Sequence, residues 1–340
     1  MIEAKPIILI LGPTAGGKTA LAIELARRLS SLPGAGGAEC VCADSMQVYR
    51  GMDIGTAKPT AAERAAVPHH LLDLVDPSED GFSVDTWLGL AERAIDEIRR
   101  RGSNFRGRYP IVVGGTSLYV QALLAGLFEG PEPDPELRAR LQETPTAQLR
   151  RRLEEVDPRA AERIHRSDRK RTVRAIEVFE LTGRPISSMQ TQWPAGSSRR
   201  DVRIIGLDYS VEAINARINA RVKTMIEAGL VDEVRRLHEA GALGRQAGEA
   251  LGYKQIIEHL EGRCGLDEAV EQIKIRTRRL AKQQRTWLRR FRSHPGSVWL
   301  EADRLQPQAI VEKALRAIVP ESAPSGEVNE PPPIRRSTRR

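Results

Sequence analysis

The residues Gly12-Pro13-Thr14-Ala15-Gly16-Gly17-Lys18-Thr19 occupy every fixed position of the phosphate-binding loop G-x-x-x-x-G-K-[ST]. In such a loop successive backbone N–H groups converge on one point and the helix that follows adds positive potential, so a diphosphate should sit there. Lys18 would reach the phosphate oxygens, and the Thr19 hydroxyl would take a place on a Mg²⁺ bridging them. The loop does not say which diphosphate. Two further stretches end in side chains able to serve a reaction at that point. Glu39-Cys40-Val41-Cys42-Ala43 ends on Asp44, and Pro110-Ile111-Val112-Val113-Gly114-Gly115 ends on Thr116. A carboxylate at Asp44 could be an indirect Mg²⁺ ligand or a base toward a nucleophile lined up on the substrate; an Asp capping the next helix is the plainer alternative.

An open α/β sheet would position these groups. Ile7-Ile8-Leu9-Ile10-Leu11 is a short apolar run typical of a buried parallel strand, and apolar residues at 21, 22, 25, 26 and 29 make a helix stripe after the loop. Asp44 and Thr116 follow strand patterns, and the carboxyl ends of strands line the ligand crevice in open sheets. A helix is predicted over about residues 85–101, burying Trp87, Leu90, Ala91, Ala94, Ile95 and Ile98 and stopping at Gly102. Val202-Arg203-Ile204-Ile205-Gly206-Leu207 returns to strand pattern and rejoins the sheet. In the helix pair after it, over about residues 211–240, Arg217 and Arg221 stand one turn apart on one face. Gly248-Glu249-Ala250-Leu251-Gly252-Tyr253-Lys254-Gln255 reads as a glycine-flexed turn with an exposed aromatic and a lysine. His69 and His70 point opposite ways on a short strand with no third ligand at metal spacing, and are read as structural.

Charge indicates the class of partner. The 340 residues carry a formal net charge of +8, which favours a polyanion, although an arginine-rich proteome gives the same total. Position is more informative. From Pro131 the chain reads as helices rich in Arg, with Arg169, Lys170 and Arg171 at the start of one of them. A long helix over about residues 266–292 holds nine Lys or Arg and no Asp or Glu between Lys274 and Arg292, with Trp287 and Phe291 one turn apart. Such a helix can neutralise phosphates and stack unpaired bases, or it can bury its aromatics and leave the cations solvated. Cys40 and Cys42 lie on one face of a strand without metal-ligand spacing and, with Cys264, make no disulfide framework. No secretory segment or membrane-length apolar run is present, so a soluble cytoplasmic protein is expected. Residues 320–340, rich in Pro, Ser, Glu and Arg, are expected to be disordered.

These pieces coincide with a family. The sequence resembles the tRNA dimethylallyltransferases, also called tRNA isopentenyltransferases, over about residues 6–300. The resemblance is carried by the phosphate loop, by the block from Asp44-Ser45-Met46-Gln47 through Gly51-Met52-Asp53-Ile54-Gly55-Thr56-Ala57-Lys58-Pro59, and by Val113-Gly114-Gly115-Thr116. Arg174-Ala175-Ile176-Glu177-Val178, Leu251-Gly252-Tyr253-Lys254 and Thr286-Trp287-Leu288-Arg289 extend it. It implies transfer of a dimethylallyl group from dimethylallyl diphosphate to N6 of adenosine 37, in tRNAs reading codons that begin with U, with Mg²⁺ as cofactor. It further implies Asp44 as general base, Thr116 at the reaction centre and Arg221 as a diphosphate clamp beside the loop residues 12–19. Contacts to the anticodon stem-loop are implied at Asp44, Ser45, Met46 and Gln47, at Thr116, and at Arg138. The resemblance adds Lys170, Arg171, Thr172, Val173 and Arg174, then Glu249, Ala250, Leu251, Gly252, Tyr253 and Lys254. It ends with Lys282, Gln283, Gln284, Arg285, Thr286, Trp287, Leu288 and Arg289. Gln283 stands where the family usually has an arginine, and Lys170 where a glutamine is common.

Residues and resemblance together give an α/β fold, a P-loop NTPase-like core with a parallel sheet and helices on both faces. The core would run over residues 1–130 and again over 201–319 with a long basic helix near its end, interrupted by a mostly helical, tRNA-facing insertion at 131–200. A monomer is expected. Other readings of the same loop are a small-molecule kinase with Asp44 as base, an RNA-binding NTPase module without catalysis, and an adenylate isopentenyltransferase using free nucleotide. The kinase would need neither the basic aromatic helix nor the helical insertion, and in the RNA-binding module the loop would merely sense nucleotide. The extended basic C-terminal half argues against the third.

Overall fold

A computed structural model describes residues 5–101, 107–127, 130–189, 199 and 201–319. Gly102 and the segment 320–340 lie outside the described residues. In chain order the first half runs β1 (Ile7–Leu11), α1 (Lys18–Ser31), β2 (Ala38–Cys42), α2 (Ala61–Ala66), β3 (His69–His70), α3 (Val84–Arg100), β4 (Tyr109–Val113) and α4 (Ser117–Ala125). Five helices follow: α5 (Pro135–Glu143), α6 (Thr146–Val156), α7 (Pro158–Arg163), α8 (Arg169–Thr182) and α9 (Ile186–Met189). The chain then returns through β5 (Val202–Asp208), α10 (Val211–Glu227), α11 (Leu230–Glu239), α12 (Arg245–Gly248), α13 (Tyr253–Leu260) and α14 (Leu266–Leu288). A 3-10 turn (Arg289–Phe291), β6 (Ser297–Glu301) and α15 (Pro307–Ile318) complete it.

The strands form one sheet in the order β3-β2-β4-β1-β5-β6, and every pairing is parallel. Side-chain alternation explains why β1 is apolar throughout: Ile8 and Ile10 join the core under α1, α10, α13 and α15, while Ile7, Leu9 and Leu11 join the core under α3 and α4. Strand order reverses around β1, which has β4 on one side and β5 on the other, so the loops after β1 and β4 part there and leave a crevice. The helices α5 to α9 have a core of their own, built on Leu141, Leu149, Leu153, Ala160, Ile176 and Ile186. The predicted helix over 85–101 is α3, capped by Ser83, whose side chain accepts from the Thr86 N–H.

Two local expectations fail. Cys40 and Cys42 do not share a core: Cys40 packs on the α1 side, whereas Cys42, the last residue of β2, joins the α3 side and donates its thiol to Gln47. Tyr253 is fully buried, not exposed. Its ring lies against Gly55, where an added Cβ would stand 2.4 Å from the Tyr253 ring, and its hydroxyl has a buried partner in Glu233. The histidines are structural as read, His70 on the buried Glu39 and His69 on the Val67 carbonyl.

Candidate active site

The phosphate loop is held open from outside. Ala15 (φ 60°) and Gly17 (φ 78°) adopt the left-handed conformation, which turns their carbonyls away from the loop centre. Two loop carbonyls find partners on the returning half of the core, Arg217 Nε donating to Ala15 O at 2.8 Å and the Tyr209 hydroxyl to Gly16 O at 2.9 Å, while the Gly17 carbonyl accepts the Leu21 N–H of α1 at 3.0 Å. Arg217 also lies over the Tyr209 ring, 5.5 Å from its centroid. Lys18 Nζ folds back onto Pro13 O at 2.9 Å. Beyond these, α1 begins at Lys18 with no side-chain cap, so the first N–H groups of the helix face the crevice without a protein acceptor among the described residues.

Three charges meet over that opening. Arg221 from α10 and Asp44 from the end of β2 are both close enough to alter the titration of Lys18, and Asp44 that of Arg221. Burial, then the Arg221 charge, push the Lys18 ammonium down to about 8, with Asp44 opposing. Burial likewise holds Arg221 below its usual range, against Asp44. Two desolvated cations sharing a single carboxylate leave an excess of positive charge in low dielectric, which an anion would relieve.

Asp44 and Thr116 are brought together by backbone. Gly114 has no room for a side chain, because a Cβ there would meet Ala43 O at 2.1 Å; the strand ends after β2 and β4 therefore touch. Thr116 N donates to Ala43 O at 3.2 Å, and Ser45 N donates to Thr116 Oγ1 at 2.9 Å. Asp44 spends one oxygen, Oδ1, on the Met46 N–H. Thr19 sits partly exposed at the start of α1, and its hydroxyl has no protein partner among the described residues.

The residues implied as RNA contacts fall into two groups. Lys170, Arg171, Lys282, Gln283, Thr286 and Arg289 are exposed. Of the nine cations on and after α14, Lys274, Arg278, Arg290 and Arg292 have partners in Glu271, Asn219, Gln121 and Asp208. Arg276, Arg279, Lys282, Arg285 and Arg289 have none among the described residues. Others turn inward. Thr172 and Val173 are buried in the helical insertion, Ala250 and Leu288 in the two sheet cores, and Leu251 packs partly buried against the first of these. Trp287 and Phe291 pack edge to face at 4.6 Å against the α3-side core, so the aromatic side of α14 faces the sheet. Lys254 and Glu249 pair with each other at the surface, and Gln47 spends its amide on the Thr56 and Ala57 carbonyls.

Residues that sequence reading missed are those holding others in place. Glu177, fully buried, takes Arg138 in a two-point contact at 3.1 and 2.7 Å and Arg174 at 2.6 Å. Glu233 accepts the N–H groups of Asp53, Ile54 and Gly55 at 2.8 to 3.1 Å. An acid inside a helix's apolar stripe was the available signal for both.

The whole arrangement has counterparts. Residues 47–291 match the family model described as IPP transferase, and residues 5–74 match that described as isopentenyl transferase. The chain is 45% identical to tRNA dimethylallyltransferase 1 of Citrifermentans bemidjiense over 87% of its own length and 92% of that protein. It is 43% identical to the tRNA dimethylallyltransferase of Geobacillus kaustophilus, over 93% and 96%. Among solved structures, the tRNA isopentenylpyrophosphate transferase of Bacillus halodurans superimposes with a TM-score of 0.64 at 38% identity, covering 92% of this chain and 95% of that one. A eukaryotic dimethylallyltransferase described as acting on tRNA gives 0.77 at 28% identity, covering 92% and 78%. With its phosphate loop, its Asp44 turn and its basic α14 in one sheet-edge crevice, and with most of its length matched, the chain belongs to the IPP transferase family.

Proposed function

We propose that this chain is a tRNA dimethylallyltransferase that moves the five-carbon group of dimethylallyl diphosphate onto N6 of adenosine 37, in tRNAs reading codons that begin with U. The observation that carries the chemistry is the pairing of two desolvated cations, Lys18 and Arg221, with one carboxylate, Asp44, above an uncapped helix N-terminus. The cations and the helix amides receive the diphosphate. As the allylic C–O bond breaks, its electrons pass to the diphosphate oxygen, and these groups stabilise the charge that grows there. The N6 lone pair forms the new C–N bond, and the N6 proton goes to the free oxygen of Asp44. Thr116, whose Oγ1 accepts the Ser45 N–H, would turn its hydroxyl from Ser45 Oγ to the departing oxygen. Diphosphate enzymes of this kind use a divalent cation, and the residues present fit one. The unpartnered Thr19 hydroxyl would hold Mg²⁺, which supplies further charge stabilisation to the leaving group.

The helical insertion at 131–200 and the exposed cations of α14 are proposed to hold the anticodon stem-loop, with the adenine extruded from its stack to reach Asp44. A cytoplasmic monomer fits this role; among the described residues no helix is long and apolar enough to cross a membrane. The test is mass spectrometry of unmodified tRNA after incubation with the chain, dimethylallyl diphosphate and Mg²⁺. A gain of one dimethylallyl unit at adenosine 37 is expected. ATP consumption with unchanged tRNA would establish the kinase reading instead, and prenylation of free adenylate alone the adenylate isopentenyltransferase reading.

A further inference from the structure

Gln284 lies on α14 within the stretch whose family resemblance implies RNA contact, yet its amide points between the turns after β1 and β4. The residue is 9% exposed. Its Oε1 accepts the N–H of Thr14, in the middle of the phosphate loop, at 2.8 Å, and its Nε2 donates to the carbonyl of Gly115, next to Thr116, at 3.0 Å. One planar amide therefore spans the two turns that carry the reaction, those after β1 and β4, and no other side chain described here bonds both. Gly115 shows how tightly the three parts meet: a Cβ there would stand 2.7 Å from Gln284 Nε2 and 3.7 Å from Lys18 Nζ. Both ends of the amide are used and correctly oriented, donor to carbonyl and acceptor to N–H, so its energy goes into the relative placement of the two loops.

We propose that Gln284 is a positioning residue of the diphosphate site, setting the phosphate loop and Lys18 in register with Thr116, and that it makes no RNA contact. This rests on the phosphate loop taking the diphosphate of the allylic substrate. It assigns opposite duties to adjacent positions of α14, with Lys282, Arg285 and Arg289 turned to RNA and Gln284 turned to the leaving group.

The substitution Gln284→Met keeps the side chain's length and volume and removes both hydrogen bonds. With the full chain, Mg²⁺ and inorganic diphosphate in a calorimeter, its dissociation constant should rise about tenfold or more, while binding of an anticodon stem-loop RNA stays within about twofold. In steady state the KM for dimethylallyl diphosphate should rise and kcat fall, with the KM for tRNA held. A Gln284 that serves only general stability would move both ligands together or neither. Weaker RNA binding with unchanged diphosphate binding would overturn the proposal and return Gln284 to the RNA surface, and so would no change in either.

Amide exchange in the parent protein decides the matter even if the variant misfolds. The Thr14 N–H should exchange slowly in the free protein, because a buried acceptor holds it, whereas the Lys18 and Thr19 N–H groups should slow only when diphosphate is added. Rapid exchange at Thr14 before diphosphate would refute the bridge. A parent that binds no diphosphate at all while protecting Thr14 would instead refute the functional reading and leave the bridge standing.

Discussion

The Tyr253 hydroxyl donates to the Glu233 carboxylate at 2.5 Å, with both residues buried. Because burial and the Glu233 charge push the phenol well above its usual range, it stays a donor at any physiological pH. Through Glu233 it reaches the three consecutive N–H groups of residues 53–55 and so fixes the loop whose carbonyls hold Gln47. Tyr253→Phe should cost about 1–2 kcal/mol in urea unfolding, since a buried charged acceptor loses one donor and keeps three. RNA affinity should be unchanged in the variant. A loss of about tenfold in RNA binding without a change in stability would mean that Tyr253 does meet the RNA.

Asp44→Asn keeps the shape of the turn and its bond to the Met46 N–H but removes the proton acceptor. Transfer should slow by about 10²-fold or more, with diphosphate binding retained. Single-turnover transfer at the parent rate would take the general-base role away from Asp44.

Lys18 supplies a pH signature. Its folded value is about 8, against about 10.4 for an unfolded lysine. The fold thus disfavours the protonated form: free protein is penalised at every pH below about 8 and gains stability as pH rises from there toward the unfolded value. Lys18→Met should be more stable than the parent at neutral pH, by a margin that shrinks above pH 8, and should lose the stabilisation that diphosphate confers. Parent affinity for diphosphate should fall as pH rises through 8. Thermal unfolding of both proteins across pH 6.5 to 10 would test this, and a margin that is constant with pH would contradict it.

Glu177 tests placement against charge. Removing a buried negative charge from beneath the proposed RNA surface should tighten RNA binding if only net charge matters. If instead Glu177 holds Arg138 and Arg174 in place, Glu177→Gln should weaken tRNA binding and lower stability while leaving diphosphate binding alone, because a buried paired charge has lost its partner. Filter binding with tRNA and calorimetry with diphosphate separate the two; tighter tRNA binding would sink the placement account.

Neutralising Lys282, Arg285 and Arg289 together should weaken tRNA binding and flatten its salt dependence by roughly one unit of slope per lost phosphate contact. Chemistry on bound tRNA should suffer less. Coincident slopes of log K against log salt for parent and variant, with the fold verified by circular dichroism, would leave the insertion around Lys170 to Arg174 as the principal RNA surface.

Much of this molecule could be read from its residues because the informative signals were local. The apolar run of β1, the glycine loop and the helix stripe of α1 are adjacent in sequence, and each depends on backbone rules that hold without tertiary context. What could not be read was direction. Whether Trp287 and Phe291 stack on bases or pack inward depends on which side of α14 meets the α3-side core, a contact made across the fold. Tyr253 looked exposed because glycines flank it, yet Gly55, nearly two hundred positions earlier, provides the space its ring fills. Cys42, the last residue of β2, gives its thiol to Gln47, a partner that the strand pattern does not reveal.

The bond between Thr14 and Gln284 spans 270 positions. On a ribosome adding roughly 5–20 residues per second, the phosphate loop would wait about 15–50 s for its partner to be made. During that interval the loop can meet the nucleotides and diphosphates around it, but it lacks the side chain that aligns it with Thr116. Competence for transfer therefore arrives late in synthesis, with the same helix that carries the cations for RNA, and a chain released before α14 would hold the phosphate motif without a working relation between its two halves.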